Sequence, residues 1–236
     1  MKFDGQRVLV VGGSSGIGEA AARAFAEQGA SVTIVSRNAG KLAQSAARIG
    51  HDVLSGIVDI TDDASVAAFF DGAGEFDHVV VSAAQTPTGP VRGLALQDAY
   101  AAMNSKFWGA YRVARAARIK EGGSLTLVSG FLSVRPSKAS VLQGAINAAL
   151  EALARGMALE FSPVRVNTVS PGLIATPLWS KLDEAAREKM YEGAAARLPA
   201  RTVGRPEDVA NAIVYLASTL YATGSTVLID GGGAIA

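Results

Sequence analysis

A doubly wound α/β sheet with helices on both faces is the fold this sequence predicts, on three observations. Short β-branched runs alternate with alanine-rich stretches at helical spacing, which implies right-handed crossovers between parallel strands. Several of the runs are apolar throughout and do not alternate, as strands covered on both faces require. A glycine-rich loop stands between the first run and the first helical stretch. No low-complexity tract, solenoid repeat or Pro/Gly-rich linker breaks the pattern. Residues 1–236 therefore read as a single domain with enough length for a large core.

In chain order the strands are expected at Val8–Val11, Ser31–Ser36, Val53–Val58, His78–Ser82, Ser124–Ser129, Val164–Val169 and Thr226–Ile229, about seven in all. The helices are expected at Gly18–Gln28, Ala39–Arg48, Ala64–Phe70, Leu96–Arg118, Gln143–Phe161 and Glu207–Leu216. Gly29 and Gly50 stand where helix-ending glycines belong.

Composition narrows the function. No apolar run approaches the roughly 18 residues that span a bilayer, and the polar start, Met1 to Arg7, lacks the apolar stretch of a signal peptide. A cytoplasmic protein without a membrane partner is expected. The absence of cysteine excludes disulfides, zinc-thiolate sites and thiol nucleophiles. Two histidines far apart, His51 and His78, suggest no metal site, and a net charge of +1 gives no reason to expect nucleic acid.

The loop after the first strand reads Gly12-Gly13-Ser14-Ser15-Gly16-Ile17-Gly18. Strand, glycine loop and helix in this order can bring backbone N–H groups and a helix N-terminus against a pyrophosphate, where side chains would obstruct. Glycine turns also serve simple chain reversal, but the context points to a dinucleotide-binding Rossmann domain. The second strand ends in Ser36-Arg37-Asn38. An arginine there suits a ribose 2′-phosphate where an acidic residue would suit a hydroxyl, so Arg37 argues for NADP(H) over NAD(H). Its other reading is a solvated surface arginine. Asp59-Ile60, closing the third strand, is placed to meet the adenine, or Asp59 is simply a turn or cap residue before Thr61.

With these residues in view, the chain resembles the short-chain dehydrogenase/reductase family over essentially its whole length. The family's TGxxxGIG appears as Val11-Gly12 through Gly18, without the threonine; its NNAG stretch appears as Val81-Ser82-Ala83-Ala84; its helix asparagine matches Asn104. Asn167-Thr168-Val169-Ser170-Pro171-Gly172, Thr176-Pro177, Gly204-Arg205-Pro206-Glu207-Asp208-Val209 and Ile229-Asp230-Gly231-Gly232 follow in the family's order. The resemblance implies that Ser82, Ala83 and Ala84 line the cofactor and that Pro171, Gly172, Ile174 and Thr176 wrap its nicotinamide half. Read alone, Pro171-Gly172 is also a strand-ending turn. Leu178–Leu198 reads as an amphipathic lid over a substrate pocket or as a surface helical hairpin.

The family's serine, tyrosine and lysine are where the resemblance breaks. The run Ala148-Ala149-Leu150-Glu151-Ala152-Leu153 fixes the register and sets Gln143 at the tyrosine, Asn147 at the lysine and Gly130 at the serine. Asn104 alone remains of the four. Gln143 can donate a hydrogen bond but no proton, and Asn147 can hold a ribose hydroxyl but carries no charge to tune an acid. Loss of a general acid slows such a reaction by roughly 10²–10⁴, though proximity of a hydride donor still accelerates it.

Three functions follow. The first is reduction of a small-molecule carbonyl with an atypical proton donor: water on Asn104 and Gln143, Lys138, or Tyr191 of the lid; an iminium substrate needs no donor. The second is a cofactor-binding redox sensor, and the third a supporting subunit in a mixed oligomer. Alanine and glycine along Leu96–Arg118 and Gln143–Phe161 suit close helix packing, and the family pairs these helices across a two-fold axis. A homodimer or homotetramer is the expectation.

Overall fold

The computed structural model describes residues 2–236, and Met1 lies outside the described residues. Seven parallel strands form one sheet in the order β3-β2-β1-β4-β5-β6-β7. They are β1 Arg7–Val11, β2 Ser31–Ser36, β3 Leu54–Ile57, β4 Glu75–Val81, β5 Arg118–Val128, β6 Arg165–Pro171 and β7 Thr226–Ile229. The helices are α1 Gly16–Ala26, α2 Ala39–Ile49, α3 Asp63–Ala73, α4 Leu96–Met103, α5 Gly109–Ala116, α6 Val141–Glu160, α7 Glu184–Ala195 and α8 Pro206–Ser218. Two apolar layers sandwich the sheet. One joins Val8, Val10 and Ile34 to α1 and α8 through Phe25 and Ile213. The other joins Leu9, Val79 and Leu125 to α3, α5 and α6 through Phe70, Val113 and Leu150. Adjacent residues of β1 thus face opposite cores, which is why its sequence is apolar throughout.

The chain winds outward from β1 through β2 to β3, then returns to place β4 on the other side of β1. At that reversal the loops after β1 and β4 diverge to opposite faces and leave a crevice beyond the strands' C-terminal ends.

The long helix expected over Leu96–Arg118 is divided. A π-helical turn, Asn104–Trp108, separates α4 from α5, and Arg118 already belongs to β5. The π turn admits one extra residue and turns Ser105 and Lys106 into the interior. Gly109 then lies so close to Ile60 that a Cβ would stand 2.7 Å from its Cδ1. The early start of β5 follows from pairing of Arg118 and Ile119 with Glu75 and Phe76, which the polar run Lys120-Glu121-Gly122-Gly123 conceals in the sequence.

Candidate functional site

Close packing fixes the glycine loop. A Cβ at Gly12 would stand 2.5 Å from the Ala83 backbone nitrogen, and one at Gly18 would collide with the Gly12 carbonyl. Gly16 has φ of +57°, a conformation that glycine adopts without strain. Ser82 and Ala83 both donate their N–H groups to the Val11 carbonyl, which ties the ends of β1 and β4 together. Ser45 holds the Gly13 carbonyl from α2 at 2.9 Å. Ser15 is the N-cap of α1 but makes no side-chain cap bond, so the first-turn N–H groups keep their capacity to bind an anion. The one acid in that turn, Glu19, is neutralised by Arg48 at 2.9 and 2.7 Å. Arg48 holds the Glu19 carboxyl below its ordinary value despite partial burial.

Arg37 and Asp59 stand at the neighbouring strand ends. The Arg37 guanidinium reaches from β2 to the loop after β4 and donates to Gln85 Oε1 at 2.8 Å, with the rest of the group exposed. Asp59 accepts from the Thr61 N–H at 2.9 Å and the Thr61 hydroxyl at 2.7 Å, all on Oδ1. Burial pushes its carboxyl up, but Thr61, Arg37 and Arg112 outweigh that and hold it below the ordinary value. Asp59 thus caps its own turn and keeps Oδ2 for another donor.

The loop after β6 closes over the glycine loop. Gly172 lies against Asp230, where a Cβ would stand 2.7 Å from the Asp230 Cα. Ile174 pairs with Gly204, and the Trp179 indole donates to the Ile174 carbonyl at 3.0 Å. The Thr176 side chain sits 3.3 Å from where a Cβ of Gly16 would be. Beyond it the expected lid is a short 3-10 turn, Pro177–Trp179, followed by α7, whose N-terminus Asp183 caps through the Ala186 N–H. Tyr191 is half-buried on α7, whereas Lys138 is exposed.

Between β5 and α6 lies a buried polar cluster. Gln143, Asn147 and Glu151 recur every fourth residue and share one face of α6. Gln143 is half-buried at the outer end; Asn147 and Glu151 are buried beneath it. Asn147 lies against Gly130, whose Cβ would stand 2.7 Å from the Asn147 Nδ2. Lys106, from the π turn, donates to the Ser129 carbonyl at 2.6 Å and to Asn147 Oδ1 at 2.6 Å. Ser129, Ser133 and Ser170 donate to Glu151 Oε1 at 2.8, 2.7 and 3.2 Å. Burial pushes the Lys106 ammonium down to about 8, and the Glu151 charge opposes part of that shift. Asn104 turns its amide toward the Thr61 carbonyl at 3.5 Å, at the border of hydrogen bonding. The structure therefore brings Gly130, Asn147 and Gln143 to one place and gives the Asn104 side chain a different neighbour.

Residues 11–233 match the family model described as Enoyl-(Acyl carrier protein) reductase. "Short-chain dehydrogenase/reductase ATR9" of Stachybotrys chlorohalonatus is 32% identical, over 97% of this chain and 96% of that protein. The chain belongs to the short-chain dehydrogenase/reductase family. A second relative, "3-oxoacyl-[acyl-carrier-protein] reductase FabG" of Thermotoga maritima, is 30% identical over 98% of this chain and 99% of its own. Among solved structures, a "short chain dehydrogenase/reductase family protein" superposes with a TM-score of 0.90 at 33% identity, covering 100% of both chains. A small-chain dehydrogenase in complex with NADPH superposes with a TM-score of 0.86 at 32% identity, over 99% of this chain and 100% of that one.

For a short-chain dehydrogenase/reductase, the cluster holds three elements that motif reading passed over: Lys106, the Glu151 carboxylate and its ring of serines. One signal for Lys106 stood in the sequence. Ala102, Lys106, Ala110 and Val113 fall at helical spacing on the stripe that packs inward, and a lysine on such a stripe is out of place.

Proposed function

We propose that this chain binds NADP(H), in preference to NAD(H), across the C-terminal ends of β1 and β4 and uses it to reduce a small carbonyl or iminium-like molecule. The observation that carries the reading is the cradle after β1: glycines that admit no side chain, a helix N-terminus without a side-chain cap, and a neutralised first-turn acid. These features fit a pyrophosphate. The exposed part of the Arg37 guanidinium suits the 2′-phosphate, with Asp59 and Ile60 toward the adenine. Ser14, Ser15, Ile17, Ser82, Ala83 and Ala84 would surround the diphosphate and inner ribose. Asn147, Pro171, Gly172, Ile174 and Thr176 would hold the nicotinamide half. The bound dinucleotide supplies a hydride, and the protein's part is to hold the acceptor against it.

On this reading Gln143 and Asn147, with Asn104 beyond them, stand in for the family's acid set. Two amides can orient a carbonyl oxygen but release no proton. An iminium acceptor, already positive, needs none, and that favours it over a ketone. Turnover of NADPH against cyclic imines, enones and ketones tests this. The expected result is oxidation with a cyclic imine, and ketone rates lower by roughly 10²-fold or more. Binding of NADPH without turnover on any of them supports the second reading, a catalytically silent NADP(H)-binding redox sensor or oligomer partner, which the glutamine at 143 favours. The exposed groove between α5 and α6, with Tyr111, Arg115, Leu153, Gly156 and Phe161, is the proposed homodimer face. A second face would make the homotetramer. A cytoplasmic location suits the family and the cysteine-free sequence.

A further inference from the structure

We propose that Lys106 is a positioning residue for the nicotinamide end of the site: it brings in from the π turn the cation that α6 lacks at 147, and it locks the Asn147 amide with its nitrogen toward Gly130. The inference rests on the cofactor reading above.

The placement of Lys106 calls for an explanation. An ammonium on an inward-facing stripe is expensive unless it is paired and hydrogen-bonded, and an apolar residue would pack there without that penalty. The two acceptors it finds are both 2.6 Å away, the Ser129 carbonyl at the end of β5 and Asn147 Oδ1 on α6. The charged group that acts on it is Glu151, one helical turn beyond Asn147. A protonated lysine has donors and no acceptor, so Asn147 must turn its oxygen toward Lys106 and its nitrogen away. That nitrogen is the atom beside Gly130. Among the described residues it makes no hydrogen bond, so it keeps two N–H groups for a ligand.

The same geometry couples three positions. A side chain at 130 would run into the Asn147 nitrogen, so glycine and asparagine go as a pair. A lysine at 147 would bring a second ammonium to the one already held there, so asparagine and Lys106 go as a pair. Gly130, Asn147 and Lys106 form one arrangement in which a cation sits behind an oriented amide. Deprotonation of Lys106 removes the lock, since a neutral amine no longer dictates which end of the amide faces it.

The test is NADPH affinity, read by nicotinamide fluorescence between about pH 6.5 and about pH 9.5. For the unaltered protein the affinity falls several-fold through a single ionisation near 8, the value toward which burial draws Lys106. In Lys106→Met that step is gone. In Asn147→Asp the step is gone as well and the affinity is low throughout, because a carboxylate has no N–H to present and no end for the ammonium to select; this variant and the unaltered protein decide the matter should Lys106→Met fail to fold. Asn147→Lys alone loses about tenfold in affinity or more, and Lys106→Met with Asn147→Lys recovers most of it by returning the single cation to α6. A lysine that merely stabilises the fold would leave the pH profile the same in the unaltered and Lys106→Met proteins. That result, a flat profile in the unaltered protein, or a double variant no better than Asn147→Lys, overturns the proposal while leaving NADPH binding in place. No NADPH binding at all overturns the cofactor reading and this proposal with it.

Discussion

Gly130 and His78 show how single residues carry the account. Gly130→Ser sets a side chain against the Asn147 nitrogen, at a backbone position already packed. The variant is expected to lower stability by about 1–3 kcal/mol, measured by denaturant unfolding, and to be relieved when Asn147 is shortened to alanine. An undiminished stability of the single variant would show that Asn147 can move aside. That Gln143 and Asn147 share one face of α6 was legible because the helix carries an unambiguous alanine-leucine pattern. The role of Lys106 was not, because its meaning depends on a π turn and on the end of β5, far away in sequence.

His78 belongs to the opposite end of the sheet. Its Nε2 donates to Gln6 Oε1 at 2.9 Å and its Nδ1 accepts from the Ser124 hydroxyl at 2.8 Å, which fixes a neutral tautomer between Phe3 and Phe25. Burial, with the Arg165 charge adding to it, lowers its pKa from 6.5 to about 4. As pH falls from 6.5 toward 4 the unfolded chain takes up the proton first, so stability is full above that window and declines through it. The decline amounts to as much as about 3 kcal/mol. Thermal melting across this range is expected to show the loss, and His78→Gln to flatten it.

Elements are held by devices that local patterns reveal unevenly. The C-terminus of α8 is closed by a residue of β6: the Arg165 guanidinium donates to the carbonyls of Leu216 at 2.6 Å, Ala217 at 2.6 Å and Thr219 at 2.9 Å. Arg165→Met leaves these carbonyls without that cation and is expected to lower stability by about 3 kcal/mol, with Arg165→Lys only partly relieving it, since an ammonium lacks the planar fork. Unfolding midpoints of both variants measure this. Nothing near residue 165 in sequence announces the contact, which spans more than fifty residues. By contrast, strand β2 was expected and is found at Ser31–Ser36, and β7 at Thr226–Ile229, because turn residues bound these apolar runs. The undivided helix expected after Leu96 failed for the converse reason: alanines run up to the π turn, resume after it and continue past the helix end, and the turn itself holds no glycine or proline, so periodicity alone saw no interruption.

The whole molecule was the most legible level, since a βα alternation with covered strands allows few topologies. The crevice after β1 and β4 follows from that topology, and the chemistry proposed for it rests on a handful of side chains. At this scale the proposed dimer is testable without touching the cofactor. Gly156 is exposed on α6 with open space around it, and Gly156→Glu should favour the helix by up to about 1 kcal/mol. Sedimentation is expected to show a dimer or larger species for the unaltered protein and a smaller one for the variant, with the fold intact.

In the proposed function Arg37 neutralises the 2′-phosphate of a bound dinucleotide. Paired titrations with NADPH and NADH, followed by nicotinamide fluorescence, test it most directly. NADPH is expected to bind about tenfold tighter than NADH or more, with most of the difference lost in Arg37→Ala. Affinity for neither nucleotide, or tighter binding of NADH, would contradict it.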